Sequence, residues 1–355
     1  MDLSARLGLD IPLFQAPMAG VATPALAACV SNAGGLGALG LGASDAAAAR
    51  AMITELRART ARPFGVNLFT HASPQADPVR EAAWINALAP LFARFGAAPP
   101  AQLHSPYRSL ADDPEMVAML LAEKPAVISF HFGLPPAEVL AALRTTGALL
   151  MASATSLAEA RAIAAAGLDA VIAQGIEAGG HRGIFEPAGA DDALGTFALT
   201  RLLVREGALP VVAAGGIMDG AGIAAALALG AEAAQLGTAF IACPESAADA
   251  AYRAALAGPG AQHTRLTAAI SGRPARALGN RFTALAEELG TLAIPAYPIA
   301  YHAGKALNAA AKAAGEDGYG AQWAGQGAPL ARPLPTAELV ALLRAELAAA
   351  QAGPR

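Results

Sequence analysis

A segment near the middle of the chain places chemically useful residues directly after an apolar run. Residues 169–183 read DAVIAQGIEAGGHRG, so Gln174, Gly179, Gly180 and His181 follow a pattern typical of a buried strand. A glycine pair lets the backbone approach a ligand closely, and an imidazole can hold an anion or accept a proton. The segment is therefore either an ordinary tight turn or the wall of a site that handles a phosphate and a small anion.

Two further glycine clusters, AAGGIMDG (213–220) and QLGTAF (235–240), also follow apolar runs. In parallel barrels the loops after strands seven and eight commonly bind phosphate, because backbone N–H groups and the dipole of a following helix favour an anion. Tight turns would explain the same glycines in any barrel. Two clusters at the corresponding strand ends favour the phosphate interpretation.

Three amide side chains, Asn67, Gln174 and Gln235, also lie at or near predicted strand ends. Amides both donate and accept hydrogen bonds, which suits a flavin or nucleobase ring. A single amide in such a place is more often a structural hydrogen bond. Three amides directed toward one opening favour a cofactor site.

Two histidines are candidates for catalysis. His131 follows AVISF and His181 follows EAGG, so both are expected at the same opening. Either imidazole alone fits a structural role, but the shared position favours a role for at least one in holding an anionic substrate or in taking a proton from carbon. The remaining histidines are interpreted as surface or loop residues: His71, His104, His263 and His302.

The run AYPIAYHAGK places Tyr297, Tyr301 and Lys305 at successive spacings of four, which predicts one face of a helix. One interpretation is an amphipathic helix that packs its tyrosines into the protein and leaves Lys305 in solvent. The other is a lid over an anionic substrate, in which the lysine supplies charge and the tyrosines exclude water.

Eight short apolar runs alternate with alanine-rich helical patterns, which predicts an α/β fold of the (β/α)8 TIM-barrel type. The predicted strands are 12–18, 37–42, 64–69, 126–133, 148–154, 170–175, 210–216 and 233–240. The clearest predicted helices are 23–34, 44–59, 156–167 and 219–230. Chemistry in such barrels occurs at the carboxyl ends of the strands, where the residues above are expected to meet.

The domain organisation follows from where this repeat stops. Residues 1–240 are predicted to form the barrel and to bind the cofactor, and 241–325 a mainly helical lid lobe over the active site. Residues 326–355 are predicted to end in a helix (336–350) that packs on the barrel. The stretch 105–116 is expected to lie over the barrel mouth.

Composition limits the possible partners. The 355 residues are 55% hydrophobic and 15% charged with a net charge of −4, so no basic face for nucleic acid is expected. The apolar stretches are short and interrupted, and the amino terminus lacks a secretion-signal pattern, so we expect no membrane segment and a cytoplasmic protein. Cys29 and Cys243 suit neither a disulfide framework nor a metal site, and no metal-binding motif occurs. A monomer and a homodimer both remain open.

Taken together, these segments resemble the nitronate monooxygenases, flavoproteins formerly called 2-nitropropane dioxygenases, over nearly the whole chain. The matching segments are QAPMAGVATPALAACVSNAGGLGALG (15–40), FGVNLF (64–69), AVISFHFG (126–133), DAVIAQGIEAGGHRG (169–183), PVVAAGGIMDG (210–220) and AAQLGTAF (233–240). The YPIAYHAGK run resembles that of the class I enzymes.

The resemblance implies an FMN cofactor and the oxidation of an alkyl nitronate, such as propionate 3-nitronate, by O2 through a flavosemiquinone to a carbonyl compound and nitrite. The implied cofactor-binding residues are Ala16, Pro17, Met18, Asn67, Gln174, Gly179, Gly180, Gly215, Gly216, Gln235, Leu236, Gly237 and Thr238. His131 and His181 are the implied catalytic residues, with His131 the candidate base for a neutral nitroalkane. The implied substrate-binding residues are Tyr107, Tyr297, Tyr301 and Lys305.

Two alternatives remain at this stage. Related barrels use the same flavin-binding loops, so an NAD(P)H:quinone reductase or an enoyl-thioester reductase is the main one. A non-catalytic protein that binds flavin or phosphate is the other.

Overall fold

The computed structural model describes residues 2–290 and 292–353, in which eight parallel strands form a nearly closed barrel. The barrel strands are β1 (Leu13–Gln15), β2 (Gly37–Gly40), β3 (Phe64–Phe69), β4 (Val127–His131), β5 (Leu149–Ala154), β6 (Ala170–Gln174), β8 (Val211–Ala214) and β9 (Ala233–Leu236). Their order is β1-β9-β8-β6-β5-β4-β3-β2. Backbone hydrogen bonds between Leu36 and both Leu13 and Gln15 connect β1 to the residue before β2 and bring the two edges together.

The predicted barrel and all eight predicted strands are confirmed. Several strands end earlier than predicted, because the glycines and polar residues at their carboxyl ends leave the hydrogen-bonded ladder. β8, for example, ends at Ala214, and Gly215 and Gly216 adopt φ values of 129° and 69° that favour glycine.

The structure has helices on the outside of the barrel, where burial of both faces of a parallel sheet requires them, and further helices in the segment 241–325. They are α1 (Leu3–Leu7), α2 (Pro24–Asn32), α3 (Ala46–Arg59), α4 (Pro78–Arg94), α5 (Pro114–Glu123), α6 (Ala137–Arg144), α7 (Leu157–Ala165), α8 (Thr196–Glu206), α9 (Gly220–Ala228), α10 (Ala250–Ala257), α11 (Arg281–Glu288), α12 (Ile299–Ala313) and α13 (Thr336–Gln351). The four predicted helices correspond to α2, α3, α7 and α9. Their side-chain caps are Thr23, Asp45, Ser156 and Asp219, each of which accepts a backbone N–H of its helix. Within the described ranges, none of the helices has the length and apolar character that a membrane span requires.

Apolar side chains fill the barrel interior. Phe14, Met151, Ile172 and Val212 belong to one buried cluster that also contains side chains of α1. The C-terminal helix α13 contributes Leu343 to a second cluster, together with side chains of α2 and α9.

The segment 241–325 contains α10, α11 and α12, and it also contributes the short strands β10 (Arg265–Thr267) and β11 (Ala275–Ala277). These pair with β7 (Gly180–His181) in a three-stranded antiparallel sheet, in which Ala275 lies opposite His181. Trp84 of α4 packs with Phe282 and Leu307 in the core of this lobe. The lobe is therefore joined to the barrel through the strand that carries a predicted catalytic histidine.

Candidate active site

A cavity of about 780 Å³ lies at the carboxyl ends of the barrel strands. It brings together all of the sequence-predicted site residues except Leu236. The predicted residues that line it are Ala16, Pro17, Met18, Asn67, Tyr107, His131, Gln174, Gly179, Gly180, His181, Gly215, Gly216, Gln235, Gly237, Thr238, Tyr297, Tyr301 and Lys305. The volume falls within the range of ordinary small-molecule sites.

Leu236 does not line this cavity, and its role in cofactor binding stays a prediction. Side chains alternate between the two faces of a strand, so Gln235 faces the cavity while Leu236 is fully buried among apolar side chains of β1 and α2. The carbonyl of Leu236 accepts the N–H of Ala16. Neither its side chain nor its carbonyl is free to contact a cofactor.

One end of the cavity carries backbone donors. Among the described residues, the N–H groups of Gly216, Gly237 and Thr238 donate to no acceptor. The helix terminus expected to assist them is already used, because the N–H groups of Gly220 and Gly222 in α9 donate to Glu346 and to Asp219 at 2.9 and 2.8 Å. The start of α9 is therefore capped by protein side chains, and anion binding by these loops stays a prediction that depends on the free backbone donors.

Gly237 leaves room at this end. A Cβ added to it would lie 3.4 Å from the Cβ of Ala16 and 3.8 Å from the sulfur of Met18, and both of these residues line the cavity. The φ of Gly237 is −107°, which other residues can adopt. These are ordinary van der Waals distances, so the protein itself would accept a methyl group here, and that group would take up space in the cavity.

The three predicted amides differ in how many of their hydrogen-bonding atoms remain available to a ligand. Gln174 donates to the carbonyl of His181 at 2.9 Å and accepts the N–H of Gly183 at 2.7 Å, so it mainly holds the β7 segment. Asn67 donates to the hydroxyl of Ser129 at 2.9 Å, and its Oδ1 receives no hydrogen bond within the described part of the chain. The side chain of Gln235 forms no hydrogen bond with any described residue. The amide of Gln235 and the Oδ1 of Asn67 are therefore available to a ligand.

Arg182 proves to be structural. It is 1% exposed and donates to both carboxylate oxygens of Asp191 at 2.9 Å and to the carbonyl of Gln174 at 2.9 Å. Burial opposes ionisation of Asp191, but hydrogen bonds from Arg182 and from the N–H of Ala193, together with the arginine charge, lower its pKa. The Arg182–Asp191 pair fixes the end of β6 and takes no part in the cavity lining.

His131 has both ring nitrogens occupied. Its Nε2 lies 3.1 Å from the carbonyl of His181 and must donate to it, so Nδ1 accepts the hydroxyl of Ser153 at 2.9 Å. Burial is the main cause that lowers the pKa of His131 to about 4, with Arg273 and Arg182 acting in the same direction against the hydrogen bond to His181. His131 is therefore a neutral imidazole with no nitrogen lone pair available to a substrate.

His181 is held at one nitrogen only. Its Nε2 lies 2.9 Å from the hydroxyl oxygen of Ser271, while Nδ1 bonds to no described residue. Burial lowers the pKa of His181 to about 3, assisted by His131, Arg273 and His71. His181 is thus also neutral, but it keeps one ring nitrogen for chemistry.

Aromatic rings enclose His181. The ring centroids of Phe132, Tyr297 and Trp323 lie 5.6, 5.2 and 5.0 Å from its own. Phe132 has a φ of 80°, which is rare for a bulky side chain and costs on the order of 1–3 kcal/mol. Its ring packs under the guanidinium of Arg273 at 4.3 Å, so tertiary contacts hold the strained residue in place.

The mouth of the cavity carries a positive charge. The ammonium of Lys305 lies 4.5 Å from the ring centroid of Tyr107 and 5.2 Å from that of Tyr301, and it has no acidic partner among the described residues. Its surroundings lower its pKa through desolvation, yet the side chain stays accessible. Tyr297, Tyr301 and Lys305 therefore all face the cavity, as the lid interpretation requires.

Sequence reasoning missed several residues near the site. His71, interpreted as a surface or loop residue, is 2% exposed, and its ring lies 5.1 Å from that of Tyr297. Trp323 and Tyr252 line the cavity, and the Tyr252 hydroxyl donates to the Trp323 carbonyl. Only Trp323 carried a signal in the sequence, because tryptophan is rare in this chain and this one lies within a glycine-rich segment.

Groups of three or more histidine, cysteine or carboxylate side chains that could hold a metal ion do not occur in the part of the chain that the structure describes. The site instead combines free backbone donors, neutral imidazoles, tyrosines and two lysines, of which Lys312 is paired with Asp249. This set of groups suits an organic cofactor with a phosphate and a small organic anion.

Comparison with known proteins agrees with this assignment over nearly the whole chain. The family model described as nitronate monooxygenase matches residues 2–346. The chain is 62% identical over 341 residues to a nitronate monooxygenase of Paraburkholderia phytofirmans, which covers 96% of this chain and 93% of that protein.

Solved structures show the same relationship. A nitroalkane oxidase from Streptomyces ansochromogenes is 45% identical with a TM-score of 0.88, covering 98% of this chain and 99% of that one. FabK from Thermotoga maritima is 31% identical with a TM-score of 0.74, covering 99% and 96%. With its barrel, its cavity and these matches in agreement, this chain belongs to the nitronate monooxygenase family of oxidoreductases.

Proposed function

We propose that the protein binds FMN and uses O2 to oxidise alkyl nitronates, with propionate 3-nitronate as a representative substrate. In this reaction the C–N bond of the nitronate breaks, nitrite leaves and the carbon becomes a carbonyl carbon. The observation that supports this best is the polarity of one continuous cavity. Among the described residues, its lining combines unpartnered backbone N–H groups with an ammonium that has no acidic partner.

The residues present fit FMN. The phosphate would accept hydrogen bonds from the N–H groups of Gly216, Gly237 and Thr238, and the ring would meet Asn67 and Gln235. The space beside Gly237 lets the backbone come close to the cofactor. Bound FMN would supply the electron acceptor that the protein side chains lack.

Lys305 and its two tyrosine neighbours would bind the substrate anion. The ammonium attracts a nitronate to the cavity, and a second negative group on the substrate would strengthen this attraction. Tyr107 and Tyr301 hold the ammonium between their rings and reduce the access of water. Burial raises the pKa of Tyr301 to about 12, so its hydroxyl stays protonated and can donate to the anion.

We assign the proton-accepting role to Nδ1 of His181 rather than to His131, because both nitrogens of His131 are already bonded. A neutral nitroalkane would give its carbon-bound proton to this atom. The site lowers the pKa of His181 to about 3, which makes it a weak base. We therefore expect nitronates, which arrive already ionised, to be oxidised faster than neutral nitroalkanes.

A bound nitronate should raise the pKa of His181. An opposite charge within about 4–6 Å favours the protonated imidazole and raises the pKa of a histidine. Binding of the anion is then coupled to uptake of one proton by His181. Because that stabilising charge is lost as the pH rises through the pKa of the complex, the KM for a nitronate should increase with pH.

The proposal is tested by an oxygen-electrode assay with propionate 3-nitronate, combined with detection of nitrite. Purified protein should contain FMN, consume O2 and release nitrite without NADH or NADPH. The same protein is then mixed with NADH or NADPH under argon. Rapid bleaching of the flavin band, together with no nitronate turnover, would instead identify a reductase.

A further inference from the structure

In the part of the chain that the structure describes, only Ser271 forms a hydrogen bond with a ring nitrogen of His181. It belongs to the lobe, in the connection between β10 and β11, and is 0% exposed. Its hydroxyl oxygen lies 2.9 Å from Nε2 of His181. The two residues are 90 positions apart in sequence, and this hydrogen bond joins the lobe to the barrel side of the cavity.

The direction of this hydrogen bond is set by a third group. The Ser271 hydroxyl donates to the carbonyl of Arg273 at 3.2 Å, and a hydroxyl has only one proton to give. Ser271 must then accept from His181, which places the ring proton on Nε2. The lone pair of the neutral ring consequently lies on Nδ1, the nitrogen without a protein partner.

The turn that carries Ser271 has little freedom to move. A Cβ on Gly272 would lie 2.6 Å from the carbonyl oxygen of Pro295, and a Cβ on Gly304 of α12 would lie 2.5 Å from that of Ile270. Arg273, the next residue but one, is anchored by packing of its guanidinium on Phe132. The hydroxyl and the carbonyl that orient His181 therefore sit on tightly packed backbone.

We propose that Ser271 is a positioning residue that fixes His181 as the Nε2–H tautomer and so reserves Nδ1 for the proton exchanged with the substrate. Ser271 does not touch the reacting atoms and acts only through His181. The inference rests on the proposed function for its catalytic consequence. The tautomer itself can be measured without any turnover.

His131 and Ser153 provide a matched control within the same cavity. Ser153 donates to Nδ1 of His131, but the tautomer of His131 is set independently by the carbonyl of His181. Loss of the Ser153 hydroxyl should leave His131 protonated on Nε2. Loss of the Ser271 hydroxyl should free His181 to exchange between its two tautomers.

The decisive experiment is NMR of the purified protein labelled with ¹⁵N in its histidine rings, at neutral pH. The chain has six histidines, and His181 is assigned by the signals that disappear in His181→Gln. In the wild type we expect His181 to have an unprotonated Nδ1 and a protonated Nε2. His181 should be a mixture of tautomers in Ser271→Ala. In Ser153→Ala, His181 should keep the wild-type pattern. Ser271→Thr, which retains the hydroxyl, should restore the wild-type pattern.

Turnover adds a second readout. In Ser271→Ala, kcat for a neutral nitroalkane should fall about tenfold, the scale of one lost hydrogen bond, with a smaller change in KM. A wild-type His181 that carries its proton on Nδ1, or a tautomer unchanged in Ser271→Ala, would overturn the inference even if Ser271→Ala fails to turn over. A wild type with the expected tautomer but no nitronate oxidation would refute the proposed function and leave the tautomer assignment standing.

Discussion

The barrel rim and the lobe place two neutral imidazoles side by side and treat them differently. On the rim, His131 gives both nitrogens to hydrogen bonds, one with Ser153 of β5 and one with the backbone of His181. On the lobe side, His181 is held at Nε2 by Ser271 and keeps Nδ1 free. Burial and a low pKa are thus shared by both histidines, and only the number of occupied nitrogens separates a structural group from a chemical one.

Replacing each histidine by glutamine should show the difference between them most clearly. His181→Gln removes the proton-accepting nitrogen, so kcat/KM for a neutral nitroalkane should fall by about 10² or more, the scale of general acid–base catalysis, while a nitronate, which needs no proton abstraction, should lose less. His131→Gln can still donate to the carbonyl of His181, so we expect a loss of about tenfold or less. Steady-state oxygen consumption measures both.

The pH profile checks the same assignment. The rise of KM with pH should be present in the wild type and in His131→Gln and absent in His181→Gln. FMN content, read from the flavin absorbance, serves as the control for each variant. If His131→Gln lost more of its kcat/KM than His181→Gln at equal FMN content, His131 and not His181 would be the proton-accepting residue.

The phosphate end of the cavity can be tested apart from the histidines. Gly237→Ala adds one methyl group to the proposed cofactor space at a backbone conformation that alanine can adopt. Overpacking of this kind costs about 1–3 kcal/mol, so FMN affinity should fall at least about tenfold, measured by fluorescence titration. Gly65→Ala, whose added Cβ would meet Ala38 and Val127 at 3.5 Å in the sheet, should leave FMN affinity unchanged. Equal affinities in the two variants would place the phosphate elsewhere.

Stability should not distinguish the two histidines as turnover does. Their folded-state pKa values of about 4 and about 3 lie below the ordinary value of 6.5. As the pH falls below 6.5, these histidines therefore bind protons in the unfolded chain before they do so in the folded protein. The free energy of unfolding then decreases as the pH decreases. Each histidine should account for about 1 kcal/mol of the loss between about pH 6.5 and 5.5.

Urea unfolding at several pH values tests this in the wild type and in the two glutamine variants. His131→Gln and His181→Gln should each flatten the profile by a similar amount. A profile that stays unchanged in His181→Gln alone would mean that folding does not lower the pKa of His181.

The sequence predicted the barrel side of this comparison far better than the lobe side. Strand ends such as those at Asn67 and Gln235 meet because parallel strands carry their carboxyl ends to one rim, which is a consequence of the repeat itself. Leu236 does not line the cavity because a motif names consecutive residues while a strand exposes alternate ones. The fold and most of the cavity lining were therefore accessible from local pattern alone.

Contacts that the lobe makes were not accessible in this way. Trp323 and Tyr252 reach the cavity, and Ser271 reaches His181, through the packing of segments distant in sequence, and no periodicity relates them to His181. His71 was missed because nothing in its local sequence indicates that aromatic rings of the lobe bury it. The cap on α9 also depends on Glu346, which is 126 residues away from Gly220.

The smallest expected effect concerns the lysine at the cavity mouth. Lys305→Met removes the ammonium but keeps a long apolar side chain, so the KM for the dianionic propionate 3-nitronate should rise about two- to fivefold, the scale of one accessible charge pair. Ethyl nitronate, with a single negative charge, should show a smaller rise. Lys312 of the same helix is the matched control, since Asp249 already neutralises its charge, and Lys312→Met should change KM less.

Ionic strength separates charge from shape in this last test. Screening weakens an accessible charge pair, so added salt should raise the wild-type KM for propionate 3-nitronate and leave that of Lys305→Met nearly constant. If both proteins respond to salt alike, the attraction arises elsewhere on the surface. The rim would then bind the cofactor as proposed, while the lobe would contribute aromatic walls and the orientation of His181 without selecting its substrate by charge.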